Sequence, residues 1–233
     1  MEISKSIKIV DAALWFEAEK ALVINDLHLG YEEALHRKGI MVPRFQLEQI
    51  IDKLKIILQK TKPTKVIING DLKHEFGKVL RQEWKEVLNF LDFVLANVEE
   101  VIIIKGNHDP IIQPIADKRG VLVVNEYTIG NVLIVHGDEL VKTEAKTIII
   151  GHEHSAVTIR EGSKWEKCKC FLKGKWEGKE LIAVPSFNPL LEGTDVLKEE
   201  LLSPFLGDIK NFEVYVVGEA GTFYFGKIKD LQQ

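Results

Sequence analysis

Two cysteines, Cys168 and Cys170, are all that the 233 residues contain. Their spacing is poorly suited to an ordinary disulfide. With no signal-like N-terminus, such cysteine poverty leads to the expectation of a reducing, cytoplasmic setting. No apolar run approaches the roughly 20 residues needed to span a bilayer, so no membrane partner is expected. The chain also lacks repeats, low-complexity tracts and Pro/Gly/Ser-rich linkers, and residues 1–233 are read as a single domain. A formal net charge of −4 gives no bulk push toward nucleic acid, and no charge run is long. Binding a polyanion would require a local basic patch.

What is present is enough apolar residue, 45%, to bury a full core. Ile7–Val10 and Ala12–Phe16 read as strands, and Ala21–Ile24 is a continuous apolar run of the buried-strand type. From Pro43 to Lys60, Phe45, Leu47, Ile50, Ile51, Leu54, Ile57 and Leu58 recur at helical spacing, with Pro43 suited to the first turn and Pro63 just past the end. Lys65–Ile68 is a second buried strand. A second amphipathic helix follows, carrying Trp84, Val87, Leu88, Leu91, Val94 and Leu95 on its apolar side. Val101–Ile104 is the third such strand, and a short helix is expected after Pro110. This alternation predicts a parallel βαβ arrangement. Beyond it short strands dominate: Val121–Val124, Val132–Val135, Thr147–Ile150, Val157–Arg160, Leu181–Val184, Phe212–Val217 and Thr222–Ile228. Two sheets are expected.

Five buried-type strands stop in metal-competent residues: Asp26 with His28, Asp71, Asn107 with His108, His136, and His152 with His154. Of the seven histidines, five fall in these clusters. His74 follows Asp71 closely, and only His36 lies clearly outside. In open α/β sheets the crevice at the carboxyl ends of the strands is where ligands bind. Asp26 and His28, two apart, would point to one side if strand geometry continued, and so would His152 and His154. Carboxylates, an amide and imidazoles form a mixed N/O set that suits Mn, Fe, Zn, Co or Ni better than Ca or a bare Mg site. Six or seven donors exceed the need of one tetrahedral ion. Two ions about 3.5–4 Å apart could hold a bridging hydroxide and clamp the attacking and leaving oxygens of a phosphate.

The order Asp-x-His, Gly-Asp, Gly-Asn-His-Asp, His-Gly, Gly-His-x-His over residues 22–154 resembles the calcineurin-like metallophosphoesterases. Gly-Asp-Leu-Lys-His and Pro185-Ser186-Phe187-Asn188-Pro189 look like a prokaryotic branch, related to phosphoesterases associated with DNA ligase and helicase operons. The resemblance implies a four-layer α-β-β-α sandwich, two mixed β-sheets face to face with flanking helices. It implies a phosphate-ester substrate, with a phosphodiester preferred, hydrolysed by a metal-bridged hydroxide. Two divalent transition-metal ions are implied, manganese first and iron, zinc, nickel or cobalt as alternatives. By motif position Asp26, His28 and His154 hold one metal, Asn107, His136 and His152 the other, and Asp71 bridges them. His108 lies near the phosphate as the catalytic imidazole, Asp109 supports it, and His74 and Asn107 are candidates to touch substrate. Protein phosphatases of the family carry Gly-Asp-x-x-Asp-Arg-Gly, whose second Asp orients the catalytic histidine. Here His74 stands in that place with no Arg after it, which counts against a protein phosphatase and leaves the orientation of His108 to be found.

Two competing readings stay open. A nuclease would use the same centre, and Lys164, Lys167, Lys169, Lys173 and Lys175, interleaved with Trp165, Phe171 and Trp176, could give it a basic-aromatic surface. The plainer reading is a solvated hairpin with aromatics packed beneath. A non-catalytic scaffold is disfavoured because every ligand position is retained. Cys168 and Cys170 read as ordinary hairpin residues. The Pro185–Pro189 loop either packs or lines the site through Ser186 or Asn188, with packing preferred.

Overall fold

The computed structural model describes residues 1–77, 80–162 and 164–231, without the side chain of Glu161. The first sheet has seven strands in chain order: β1 (Glu2–Ser4), β2 (Ile7–Val10), β3 (Ala13–Phe16), β4 (Ala21–Asn25), β5 (Lys65–Asn69), β6 (Glu100–Ile104) and β7 (Leu122–Val124). The first four form an antiparallel meander, and β4 to β7 run parallel. Between the parallel strands lie α1 (Tyr31–Arg37), α2 (Gln46–Thr61), α3 (Arg81–Leu95) and α4 (Gln113–Asp117). Covered on both faces, β4 is buried at every residue, which is why its sequence runs apolar without alternation.

The second sheet is built from β8 (Glu126–Ile129), β9 (Val132–Val135), β10 (Thr147–Ile150), β11 (Ser155–Glu161), β12 (Lys164–Trp176), β13 (Lys179–Ala183), β14 (Thr194–Asp195), β15 (Glu213–Gly218) and β16 (Gly221–Lys227). Its main order is β14-β11-β12-β13-β10-β9-β8, and β15 pairs with β12 and β16. β10 runs parallel to both β9 and β13, so the sheet is mixed.

Three apolar layers follow from this stacking. Ile50, Leu54, Phe90 and Leu91 of the helices meet Leu22, Ile24 and Ile68 on one face of the first sheet. Val23, Ile67, Ile102 and Ile104 face Ile134, Ile149, Phe171 and Ile182 between the sheets. Ile148, Ile150, Leu181 and Val214 form the outer layer of the second sheet. Its cover comes largely from Val196, Phe205, Leu206, Ile209 and Phe212 in irregular segments, with Ile228 of the four-residue α5 (Ile228–Leu231). Among the described residues no helix is long and apolar enough to cross a membrane.

Two boundaries differ from expectation. α2 begins at Gln46 and leaves Pro43 outside the helix. The reason is Glu32, whose Oε1 accepts the N–H groups of Phe45 (2.7 Å) and Gln46 (2.8 Å), so a carboxylate from α1 satisfies the first donors of α2. The other concerns the stretch with interleaved lysines, which forms the 13-residue β12, paired antiparallel with β11 as a hairpin and with Phe171 and Leu172 in the core.

Candidate metal centre

The carboxyl ends of β4, β5 and β6 in one sheet and of β9 and β10 in the other converge, and every predicted ligand follows one of them. Strand geometry does not continue through the ligands. Asp26 (φ 51°), His28 (φ 44°), Asp71 (φ 47°), His152 (φ 62°) and His154 (φ 51°) are all left-handed. This turn, rather than alternation along a strand, aims the side chains inward. It costs non-glycine residues about 1–2 kcal/mol each, and five such positions at one place mark a backbone held by its surroundings. Those surroundings are visible. Asp26 N–H donates to Gly70 O (3.2 Å), His28 N–H to Asp71 O (2.8 Å), and Ser186 Oγ to Asp26 O (2.8 Å).

Three donor groups result among the described residues, one of them His28, His74 and His108, and the other two contain Asp71. In the first of these two, ligand atoms of Asp26, His28, Asp71 and His154 lie within 4.8 Å of one another. In the other, Asp71, His136 and His152 do so, and Asn107 Oδ1 lies 3.0 Å from His136 Nε2. Asp71 belongs to both. Its Oδ2 is 3.4 Å from His28 Nε2 and 3.5 Å from His136 Nε2, while its Oδ1 accepts the N–H of His108 at 2.9 Å. Imidazole nitrogens approach each other as co-ligands do, with His28 Nε2 and His154 Nε2 at 3.2 Å and His152 Nδ1 and His136 Nε2 at 3.2 Å.

The electrostatics agree with a cation site. Burial, helped by His154, lowers the His28 pKa well below the usual imidazole value. Burial and His136 lower that of His152. Burial opposes ionisation of Asp71, but contact with His136 and the other imidazoles outweighs it and holds the carboxyl well below the usual range. Burial likewise opposes protonation of His136, yet Asp71 and then Asp26 push it up to about 9. That raised proton affinity registers a strongly negative potential where a cation would sit. A metal site needs neutral imidazoles and ionised carboxylates. Burial favours the neutral form of His28 and His152, the neighbouring imidazoles keep Asp71 ionised, and His136 would give up its proton to a bound cation.

A second tier supports the donors. His28 presents Nε2 to the donor group and Nδ1 to His74 Nδ1 at 3.3 Å, so His28 donates from Nδ1 and its ring is fixed. Burial and His108 bring His74 down to about 4, in keeping with a neutral acceptor. His108 Nδ1 in turn donates to the backbone carbonyl of His74. Asp109 is wholly buried, and its carboxylate accepts the N–H groups of Leu72 (3.2 Å), Lys73 (3.3 Å) and Gly106 (3.2 Å). Burial and the charge of Asp71 raise its pKa to about 7.

Close approach explains one glycine. A Cβ on Gly106 would stand 2.2 Å from Asp71 Oδ1 and 2.5 Å from Asp71 N.

Sequence reasoning missed Glu83. Its Oε1 accepts the N–H groups of His74 (3.0 Å) and Glu75 (2.7 Å), which ties the His74 turn to the start of α3. An acidic residue in the first turn of a helix was the available signal. Tyr31 was also missed, its ring 4.9 Å from that of His74. The Pro185–Pro189 loop packs. Ser186 and Asn188 are buried, and Lys169 donates to both of their carbonyls. This removes Lys169 from any basic surface, Lys167 pairs with Glu199 at 2.8 Å, and Phe171 is core.

The family model for calcineurin-like phosphoesterases matches residues 19–218, and the chain belongs to that family. Its members are phosphoesterases that use divalent metal ions, and so is this chain. Among solved structures it is similar to the nuclease MPE of Pseudomonas putida, at 18% identity with 92% of each chain covered and a TM-score of 0.68. It is also similar to Yfce, a phosphoesterase from E. coli, at 13% identity over 90% of this chain and 93% of that one, with a TM-score of 0.40. No curated sequence matches.

Proposed function

We propose that the centre hydrolyses phosphodiesters with two divalent cations, one held by Asp26, His28 and His154, the other by Asn107, His136 and His152, and both by Asp71. The observation that carries this reading is Asp71 Oδ2, which lies between His28 Nε2 and His136 Nε2 at 3.4 and 3.5 Å. Manganese suits the mixed N/O donors, with iron, zinc, nickel and cobalt as alternatives. When bound, the cations supply Lewis acidity at the phosphate and an acidified water.

The chain's own residues do the rest. The buried carboxylates of Asp26 and Asp71 set the negative potential that draws cations in. With Nδ1–H held by the His74 carbonyl, His108 keeps Nε2 for the substrate and gives its proton to the departing oxygen. Asp109 acts as a positioning residue, since its oxygens are engaged by backbone N–H groups that shape the turns carrying Asp71 and His108.

Metal content measured together with hydrolysis of bis- and mono-nitrophenyl phosphate tests the proposal. Transition metal bound at up to two ions per chain, with the diester cleaved faster, is expected. A folded protein that binds no such metal and cleaves neither ester overturns it. Nuclease activity, as in the Pseudomonas putida nuclease, is a second reading, favoured by a basic groove between α1 and α3. A scaffold without catalysis is disfavoured because all seven donors are present.

A further inference from the structure

A groove of about 760 Å³ opens between α1, α3 and the end of α4, and its charged lining is Glu33, Arg37, Arg44, Arg81, Lys85 and Arg119. Five cations against one carboxylate is a local excess in a chain whose net charge is −4. Internal pairing does not cancel it. Glu33 alone serves both Arg44 (2.7 Å) and Arg37 (3.5 Å), and Arg119 is matched by Asp92. Arg81 and Lys85 are exposed and enter no ion pair among the described residues. Lys118 adds a further cation over the face of Trp84, which also lines the groove.

The groove leads away from the donor cluster. α1 begins at Tyr31, whose ring meets His74, and α3 begins beside the same turn, where Glu83 receives the His74 and Glu75 N–H groups. Cations therefore follow α3 from Arg81 near the site to Arg119, which is paired to Asp92 eleven residues further on, about 16 Å at ~1.5 Å per residue. At the site end Phe76 is 62% exposed, with its ring edge-on to His108 at 5.8 Å. Regularly spaced negative charge on a flexible polymer, with flat groups able to stack on an exposed aromatic, is the chemistry of a single nucleic-acid strand.

We propose that this groove is the track for a single-stranded nucleic-acid substrate, with phosphates on Arg81, Lys85 and Arg37 and a base on Phe76. The proposal rests on the phosphodiesterase reading and adds to it the substrate class and its path.

The test is the double variant Arg81→Glu/Lys85→Glu. Acidic residues in the first turns of a helix are favourable, so α3 should fold. An exposed pair outside the groove, Lys5→Glu/Lys60→Glu, makes the same change in net charge. Cleavage of a single-stranded oligonucleotide and of bis-nitrophenyl phosphate is measured for all three proteins. The groove variant is expected to lower the ratio of oligonucleotide to small-diester kcat/KM at least tenfold, and the control pair to leave it within twofold. Losing two phosphate contacts should also reduce the salt slope of oligonucleotide binding by about 1.4. An unchanged ratio, an equal fall in the control pair, or a wild type that cleaves the small diester but neither binds nor cuts the oligonucleotide overturns the groove assignment alone. A wild type that cleaves neither substrate overturns the phosphodiesterase reading instead.

Discussion

The ring of His108 makes its hydrogen bond to the backbone of His74: Nδ1 donates to the His74 carbonyl oxygen, while the His74 imidazole stacks on the His108 ring at 5.6 Å between centroids and faces His28 at 3.3 Å. One residue thus serves two histidines through two different groups. The carboxylate that the family's protein phosphatases place here is replaced by a peptide oxygen. Because any residue carries a carbonyl, the two roles separate under mutation.

His108→Ala is expected to keep both metals and lose about 10²–10⁴ in kcat. His74→Ala should retain His108 orientation and most of kcat at saturating metal, but weaken metal affinity by about 10–100-fold through His28. Metal titration and turnover distinguish them. A collapse of kcat in His74→Ala at saturating metal would show that the side chain, not the carbonyl, is what His108 needs.

Asp71→Asn puts an uncharged amide between His28 and His136. Occupancy should fall below one ion per chain, read by elemental analysis. The Tm of the variant in excess metal should approach that of wild type with chelator, because ligand bound at a thousand times its Kd contributes about 4 kcal/mol. Full occupancy in Asp71→Asn would refute the shared position.

Gly106→Ala drives a methyl into Asp71 and should destabilise by about 1–3 kcal/mol while lowering metal occupancy. Gly207→Ala is the matched control, since a Cβ there meets nothing within 4 Å, and denaturant midpoints should shift only for the first.

Lys169 links the Pro185–Pro189 loop to β12, and burial followed by the charge of Lys53 lowers its pKa from 10.5 to about 7, against the opposing pull of Asp26 and Asp11. Between about pH 7 and 10.5 the unfolded chain therefore holds a proton that the folded chain lacks. The Lys169 contribution to stability should rise with pH there, by at most about 1.4 kcal/mol per unit. His136, pushed up to about 9, acts in the opposite sense up to that pH, so the slope is read as the difference in urea-unfolding stability between wild type and Lys169→Met, which should grow from pH 7 to 9. A difference that stays constant with pH would overturn the assignment to Lys169.

The apolar runs and the residues ending them made both the sheets and the donor set readable. Buried strands leave an unbroken hydrophobic signal, and ligands must follow them. What was hidden depends on contacts distant in sequence. The heptapeptide of α1 is too short and too charged to signal a helix, and it is held by Glu32 bonding to α2 and by Gly30 packing on Glu83. β12 read as part of a solvated hairpin with aromatics beneath, and it does pair antiparallel with β11 over a buried Phe171; what its alternating lysines mask is the burial of Cys170 and Leu172. Left-handed backbone at five ligands has no local cue, since Asp and His are unremarkable after a strand. The burial of Asp109 is likewise invisible, for its partners at Leu72 and Lys73 lie in another loop.

The two oxygens of Asp71 divide between the donor cluster and the His108 amide. A carboxylate is a rigid plane, so the place where charge is neutralised and the place from which a proton is handed over share one frame of reference. A breathing motion between the sheets would carry both together, and the distance that matters to the departing oxygen would survive it.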